Sequence, residues 1–201
     1  MRNAVMVAAL AVGSVAPALA QSAAVVGKPA PEFTLKDSSG QSHALSTLRG
    51  KYVVLEWVNF GCPFVQKHYG SGNMQKLQKA YTGKGVVWLS VNSSATGKQG
   101  YYPAAELAAV LKEKGAAPTA YLLDTGGKAG RLYGARTTPH MFVIDPKGTL
   151  VYAGGIDDIR STNPADVKTA KNYVRAAMGE LLAGKSISNA STQPYGCSIK
   201  Y

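Results

Sequence analysis

The sequence predicts an α/β protein with a central mixed β-sheet flanked by helices, an N-terminal β extension and a C-terminal tail. Three observations carry this. Residues 52–58 and 86–92 are β-rich and almost continuously apolar, the pattern of strands buried on both faces. Helix-period stretches separate them from each other and from later strands, so strands and helices alternate. Residues 141–155, MFVIDPKGTLVYAGG, read as a hairpin turning at Pro146-Lys147-Gly148.

The elements follow in order. Residues 21–31 are an irregular lead-in, because Pro29 and Pro31 discourage regular structure. Residues 32–35 form a short extended piece. Asp37-Ser38-Ser39-Gly40 turns, and residues 43–45 are placed to pair back. After the strand at 52–58, Pro63 takes a first-turn helical position, where its missing N–H costs nothing. That helix is expected to run to about residue 69. Gly70-Ser71-Gly72 breaks it, and a second helical stretch covers 74–81. The strand at 86–92 leads into a loop, 93–102. Pro103 then opens an amphipathic helix with Leu107, Val110 and Leu111 on one face and Gly115 at its end. A strand at 119–124 and a short helix at 128–134 precede the hairpin. Asn163-Pro164 reads as an N-cap followed by Pro, which predicts a last helix over 165–182. There is no internal repeat, so the expectation is one domain over 21–183 and a tail, 184–201, that carries Cys197.

Residues 1–20 are expected to be a signal peptide. Arg2 precedes an apolar, uncharged run over 4–20, and Ala18-Leu19-Ala20 fits the small-x-small cleavage pattern. The run is shorter than a spanning helix needs, and Gly13 and Pro17 interrupt it, so no stable membrane insertion is expected after cleavage. Export to the bacterial periplasm follows, an oxidising compartment where two cysteines can form a disulfide. The 181 residues that remain suffice for one well-buried domain. The net charge of +11, or +10 without Arg2, is scattered, with no basic block and no interleaved aromatics. A solvated basic surface is the reading, and nucleic acid is not an expected partner. No cofactor and no metal site is assigned.

Two cysteines frame the chemistry. Cys62-Pro63 stands where an apolar strand turns into a helix. Unpaired N–H groups and the positive end of the helix dipole stabilise a thiolate there, so Cys62 is read as an exposed nucleophile rather than an inert buried thiol. Thr138-Pro139 precedes an apolar strand, a setting that suits a cis peptide bond. Glu56 is the one charge in its strand, six residues before Cys62. Buried, it would have a raised pKa suited to proton transfer; at a strand end it would simply meet water. His68 is expected to face solvent and His43 to lie in a loop, while His140 is placed to pair with Glu56. Asn92, Asp157 and Asp158 read as turn formers.

The pieces CPFVQKHY, DTGGKAGRLYGARTTPHMFVID, LVYAGGIDD and YGCSIKY give the chain its resemblance. It resembles the peroxiredoxin-like branch of the AhpC/TSA (redoxin) family, on a thioredoxin-like fold, over roughly residues 26–201. The resemblance implies an antioxidant-type thiol oxidoreductase. Cys62 and Glu56 would be catalytic, with Glu56 assisting proton transfer. Pro63, Thr138 and Pro139 would shape the groove where the backbone before the Pro pairs with a substrate peptide. The substrate would be a thiol or disulfide protein or a peroxide, with an external reductant protein as partner. The second position of a CxxC is Val65, so no dithiol cycle exists within the motif. The Pro and the Thr or Ser that peroxiredoxins place seven and three residues ahead of the peroxidatic cysteine are Leu55 and Asn59.

Cys197 leaves three possibilities open. It is a resolving thiol for Cys62, a structural staple that is never reduced, or unpaired. The readings of function divide accordingly: a thiol-disulfide oxidoreductase using both cysteines, a monothiol peroxidase with an external reductant, or a non-enzymatic copper-binding or scaffold protein. The last would draw on Cys62, Cys197, His140 or His68, and Met141.

Overall fold

The computed structural model describes residues 23–201. The expected signal peptide lies outside the described residues. Seven strands form one mixed sheet: β1 (Thr34–Asp37), β2 (Ser42–Ala44), β3 (Val53–Trp57), β4 (Val87–Asn92), β5 (Ala120–Leu123), β7 (His140–Ile144) and β8 (Leu150–Gly154), in the order β2-β1-β5-β4-β3-β7-β8. The centre, β5-β4-β3, is parallel, whereas β7 joins β3 antiparallel and β8 follows as a hairpin. Two-residue β6 (Thr137–Thr138) lies outside this sheet and pairs with β9 (Cys197–Ser198) in the tail. The helices are α1 (Pro63–Gly70), α2 (Asn73–Thr82), α3 (Ala104–Glu113), α4 (Lys128–Leu132) and α5 (Tyr173–Leu182).

The sheet is covered on both faces, as its apolar runs require. All of β3 and β4 is buried. Val54 and Val58 point to the layer of α1, α2 and α5, with Val65, Tyr69, Leu77 and Met178. Val53, Leu55 and Trp57 point to the opposite layer, with Ala129 of α4, Tyr133 and Phe142. There Trp57, Tyr133 and Phe142 pack with ring centroids 5.2–5.4 Å apart. The hairpin turns as expected. The Gly148 N–H reaches the Asp145 carbonyl at 2.8 Å, and the Asp145 side chain accepts from the Thr149 N–H at 2.8 Å.

One expectation about the C-terminal third is corrected. The predicted helix over 165–182 is broken. Asn163 does cap, accepting from the Ala165 N–H, but only for a 3-10 turn, Pro164–Lys168. A second capping residue, Asn172, accepts from the Arg175 N–H and starts α5 afresh. Asn competes well for backbone N–H groups, so it begins a helix more readily than it sits inside one. The tail, in turn, is fixed to the body. Ala153 N–H bonds to the Ala190 carbonyl and Thr192 N–H to the Ala153 carbonyl, while β9 pairs with β6. No helix among the described residues is long and apolar enough to cross a membrane.

Candidate active site

Cys62 is the N-cap of α1, in extended conformation, with Pro63 exposed at the first helical position. Asn59 builds the turn before it. Its side-chain oxygen accepts from the Gly61 N–H at 2.8 Å, its amide donates to the Gln99 carbonyl at 3.0 Å, and its own carbonyl accepts from the Cys62 N–H. Opposite stands the loop of Thr138-Pro139, whose peptide bond is cis. The Cys62 thiol lies 3.1 Å from the Thr138 carbonyl, to which it donates. Thr138 and Pro139 are buried, and the Thr138 hydroxyl has no hydrogen-bond partner among the described residues.

The tail closes over this point. β9 sets Cys197 opposite Thr138 in antiparallel register. The two sulfurs are 2.7 Å apart, and the Cys197 N–H points at Cys62 Sγ from 3.4 Å. No bond joins the two sulfurs, although they lie inside the contact distance of two sulfur atoms; a covalent bridge would bring them to about 2.05 Å. Cys62 is fully buried as a result, which corrects the expectation of an exposed nucleophile. The helix start would be open to solvent, but the segment 194–198 lies on it.

The paired thiols differ in acidity. Burial pushes Cys62 up, yet the hydrogen bond from Cys197 and the N–H groups of Val65 and Cys197 outweigh it and bring its pKa below the ordinary thiol value. Cys197 moves the other way, to about 11, through burial and through its bond to Cys62 and that sulfur's charge. Of the two, Cys62 is the more acidic thiol and the first to ionise, while Cys197 stays protonated.

Beside the pair lies a buried polar cluster that the sequence reading missed. Lys67, fully buried on α1, sits 3.2 Å from Asp157 Oδ2 and donates to the Ile159 carbonyl at 2.6 Å and to the Tyr195 hydroxyl at 3.2 Å. Tyr195 in turn donates to Asp157. His68 Nδ1 accepts from Asn73 at 3.0 Å, and its Nε2 lies 3.4 Å from the Tyr195 hydroxyl, which fits a neutral ring. Burial, then the Lys67 charge, lower its pKa to about 3. His68 thus faces inward, against expectation. A signal existed: Val65, His68 and Tyr69 fall at i, i+3 and i+4, on one helical face. Asp157, read as a turn former, is buried because it neutralises Lys67.

Glu56 is fully buried, not at a strand end in water. It accepts from Tyr69, Gln78, Trp88 and Ser90 at 2.9–3.0 Å. Burial raises its pKa, and these four donors offset part of the rise. No hydrogen bond among the described residues joins it to either sulfur. His140 does not pair with it. In the β3–β7 register His140 lies opposite Trp57, and it stacks on Phe142 with centroids 4.4 Å apart. Burial, then the Arg136 charge, lower its pKa to about 4. His43, read as a loop residue but also within the piece placed to pair back, sits in β2 opposite Leu35 and contacts Asp37 at 2.8 Å. Asn92 donates to the Val58 and Gly100 carbonyls and to Tyr121, and its Oδ1 accepts from the Ser94 N–H at 2.8 Å, an Asx turn as expected. Among the described residues no group of three His, Cys, Asp or Glu side chains is arranged to hold a metal ion.

Comparisons with known proteins show the family and the fold. The model of the AhpC/TSA family matches residues 26–153. A hypothetical protein from Sinorhizobium meliloti 1021 superposes with a TM-score of 0.74 at 26% identity, covering 90% of this chain and 97% of that one. An uncharacterised conserved protein from Geobacillus kaustophilus gives 0.76 at 27% identity, over 94% and 98%. A candidate thiol:disulfide interchange protein, DsbE, from Chlorobium tepidum gives 0.53 at 25% identity, over 65% and 85%. No curated protein matches the chain.

Proposed function

Because the chain belongs to the AhpC/TSA family, on a thioredoxin-like fold, we propose that it is an exported thiol-dependent oxidoreductase in which Cys62 is the nucleophile and Cys197 the resolving thiol. The observation that carries this is the pair itself: two free thiols 2.7 Å apart, one held acidic at a helix start and the other held protonated. The likeness to the interchange protein from Chlorobium tepidum supports thiol-disulfide exchange as the reaction type.

The cycle is as follows. Cys62 thiolate attacks a substrate disulfide; the S–S bond breaks, one substrate thiolate leaves, and a mixed disulfide forms on Cys62. Cys197 loses its proton and attacks Cys62 Sγ, which releases the second substrate thiolate and leaves a Cys62–Cys197 disulfide. A dithiol reductant protein then reduces that bridge. Thr138 and Pro139 wall the groove, and Pro63 forms its outer rim. Glu56 is assigned the proton transfers on the strength of its burial and raised pKa, without a direct bond to either sulfur. A peroxide is the alternative oxidant for the same pair. Cys62 would become a sulfenic acid, an alcohol or water would leave, and Cys197 would condense with it to the same bridge, releasing water. Against this antioxidant chemistry stands Asn59, whose side chain is spent on Gly61 and Gln99. Export to the periplasm rests on the apolar run over 4–20 and Ala18-Leu19-Ala20.

Disulfide mapping across a graded glutathione redox series tests the reading. The expected result is a Cys62–Cys197 bridge that opens and closes reversibly. A bridge that resists every mild reductant, or thiols that never pair, would sink it. Stopped-flow oxidation by hydrogen peroxide, compared with a free thiol, decides between the two oxidants.

A further inference from the structure

The tail lies in the groove as a peptide ligand would, by main-chain pairing with Thr137 and Thr138. Backbone pairing alone is indifferent to sequence, so selectivity must come from what each side chain meets. Ser198, after the cysteine, is exposed and meets little. Tyr195, two before it, packs edge-on against Phe64 at 5.7 Å and lies under the Lys67 ammonium at 5.4 Å. Gly196, directly before it, is the constrained position. Its φ is +144°, and a Cβ there would stand 2.0 Å from the Thr138 carbonyl oxygen, 2.7 Å from its carbon and 3.3 Å from Pro139 N. All three atoms are backbone, so no rotamer change relieves the clash. The same carbonyl also receives the Cys62 thiol, so displacing it would disturb the reacting sulfur.

We propose that this groove is selective for an extended Gly-Cys segment, that Gly196-Cys197 occupies it as an internal competitor, and that a protein partner reacting at Cys62 must present glycine directly before its own cysteine. The proposal rests on Cys62 being the nucleophile assigned above. Its substrate class is a polypeptide disulfide whose Gly-Cys strand lies down antiparallel to Thr137–Thr138 once the tail has lifted.

The test uses the full chain carrying Cys197→Ser and two peptides, Gln-Pro-Tyr-Gly-Cys-Ser-Ile and the same peptide with Ala for Gly. Each peptide is supplied as its mixed disulfide with thionitrobenzoate. Cys62 thiolate attacks the peptide sulfur, the old S–S bond breaks, a Cys62–peptide S–S bond forms, and thionitrobenzoate leaves with the electron pair and is read by its absorbance. Each rate is divided by that of free cysteine with the same peptide. The docked tail lowers both rates equally, so their ratio reads the groove alone. The Gly peptide is expected to react at least tenfold faster. Equal ratios overturn the selectivity while leaving Cys62 as the nucleophile. If Cys62→Ser/Cys197→Ser releases thionitrobenzoate as fast as Cys197→Ser does, the nucleophile assignment falls and the selectivity falls with it. Gly196→Ala in the otherwise unaltered chain is expected to slow closure of the Cys62–Cys197 bridge at least a hundredfold, and unchanged closure also overturns the proposal. Should that variant fail to fold, the peptide comparison still decides, because its chain keeps Gly196.

Discussion

Oxidising Cys62 and Cys197 to a disulfide should stabilise the fold by up to about 5 kcal/mol. The two residues are 135 positions apart in the chain. For a loop of that size the chain-entropy relation gives about 17 cal/mol/K removed from the unfolded ensemble, which is about 5 kcal/mol at 25 °C. Bridges often deliver less because closing them distorts the native state. Here the dithiol form already holds Cys197 in register with Thr138 and its sulfur against Cys62, so little native rearrangement offsets the gain. The same free energy makes the native couple about 100 mV more reducing than the same cysteines in the unfolded chain, at 30 mV per 1.4 kcal/mol. The assay is urea unfolding of the fully oxidised and fully reduced chain, with Cys62→Ser/Cys197→Ser as the control that must ignore oxidant. A difference below about 1 kcal/mol refutes the reasoning, because it would mean that the tail is not docked when the thiols are free. A couple more reducing than about −300 mV would refute the redox-pair assignment itself, since permanent structural bridges lie there.

The remaining predictions concern groups around the pair. Lys67→Met strands the Asp157 carboxylate in a site where both side chains are almost wholly buried, so urea unfolding should show a loss of about 3–5 kcal/mol; a loss under about 1 kcal/mol would mean the ion pair is not closed in solution. His68 has a folded pKa of about 3, far below an unfolded histidine, so between about pH 6.5 and 3 the unfolded chain binds the extra proton. Its contribution is therefore complete above pH 6.5 and lost as pH falls towards 3, and in His68→Asn the acid side of the stability–pH curve should be flatter. Glu56→Gln should slow bridge closure and change its pH profile if Glu56 carries the proton from Cys197; loss of stability with an unchanged profile assigns it a structural role instead.

The fold was legible where local and global signals agreed. The apolar runs that became β3 and β4 can only be doubly covered strands, and the turn at Asp145–Thr149 is written in its own residues. The site was legible in part. Cys62-Pro63 and Thr138-Pro139 were readable because each is a local backbone setting, a helix start and a loop before a strand. What escaped were long-range pairings. Nothing near Asp157 says that it meets Lys67, 90 residues away, or that Tyr195 joins them. The exposure of Cys62 was misjudged for the same reason. A helix start is open by default, and only a tail returning from the far end of the chain closes it. The break before α5 is a different kind of miss, a choice between two good caps, Asn163 and Asn172, that tertiary packing resolves.

Burial of the proposed nucleophile has a kinetic consequence. Cys62 has no surface open to solvent, so an external disulfide can reach it only after the tail lifts. The tail's hold divides at Tyr195. Up to that residue it is fixed by the Lys67–Asp157 cluster. Beyond it the hold includes the two-residue ladder, the Arg131 guanidinium on the Tyr201 ring, and the bonds Ile199 N–H to the Arg136 carbonyl, Ala95 N–H to the Lys200 carbonyl, and Tyr201 hydroxyl to the Ala135 carbonyl. At about 1 kcal/mol net per hydrogen bond, those three bonds alone hold the segment by about 3 kcal/mol, which is an open population of order one in a hundred or less. The dithiol chain should therefore react with iodoacetamide at Cys62 at least about a hundredfold more slowly than an exposed thiolate of equal acidity. Closure of the bridge once a mixed disulfide has formed needs residues 196–201 to return and displace the partner's strand, about a hinge that keeps Tyr195 in place. The anchor thus makes resolution intramolecular and fast while leaving entry to the partner that can compete for the groove.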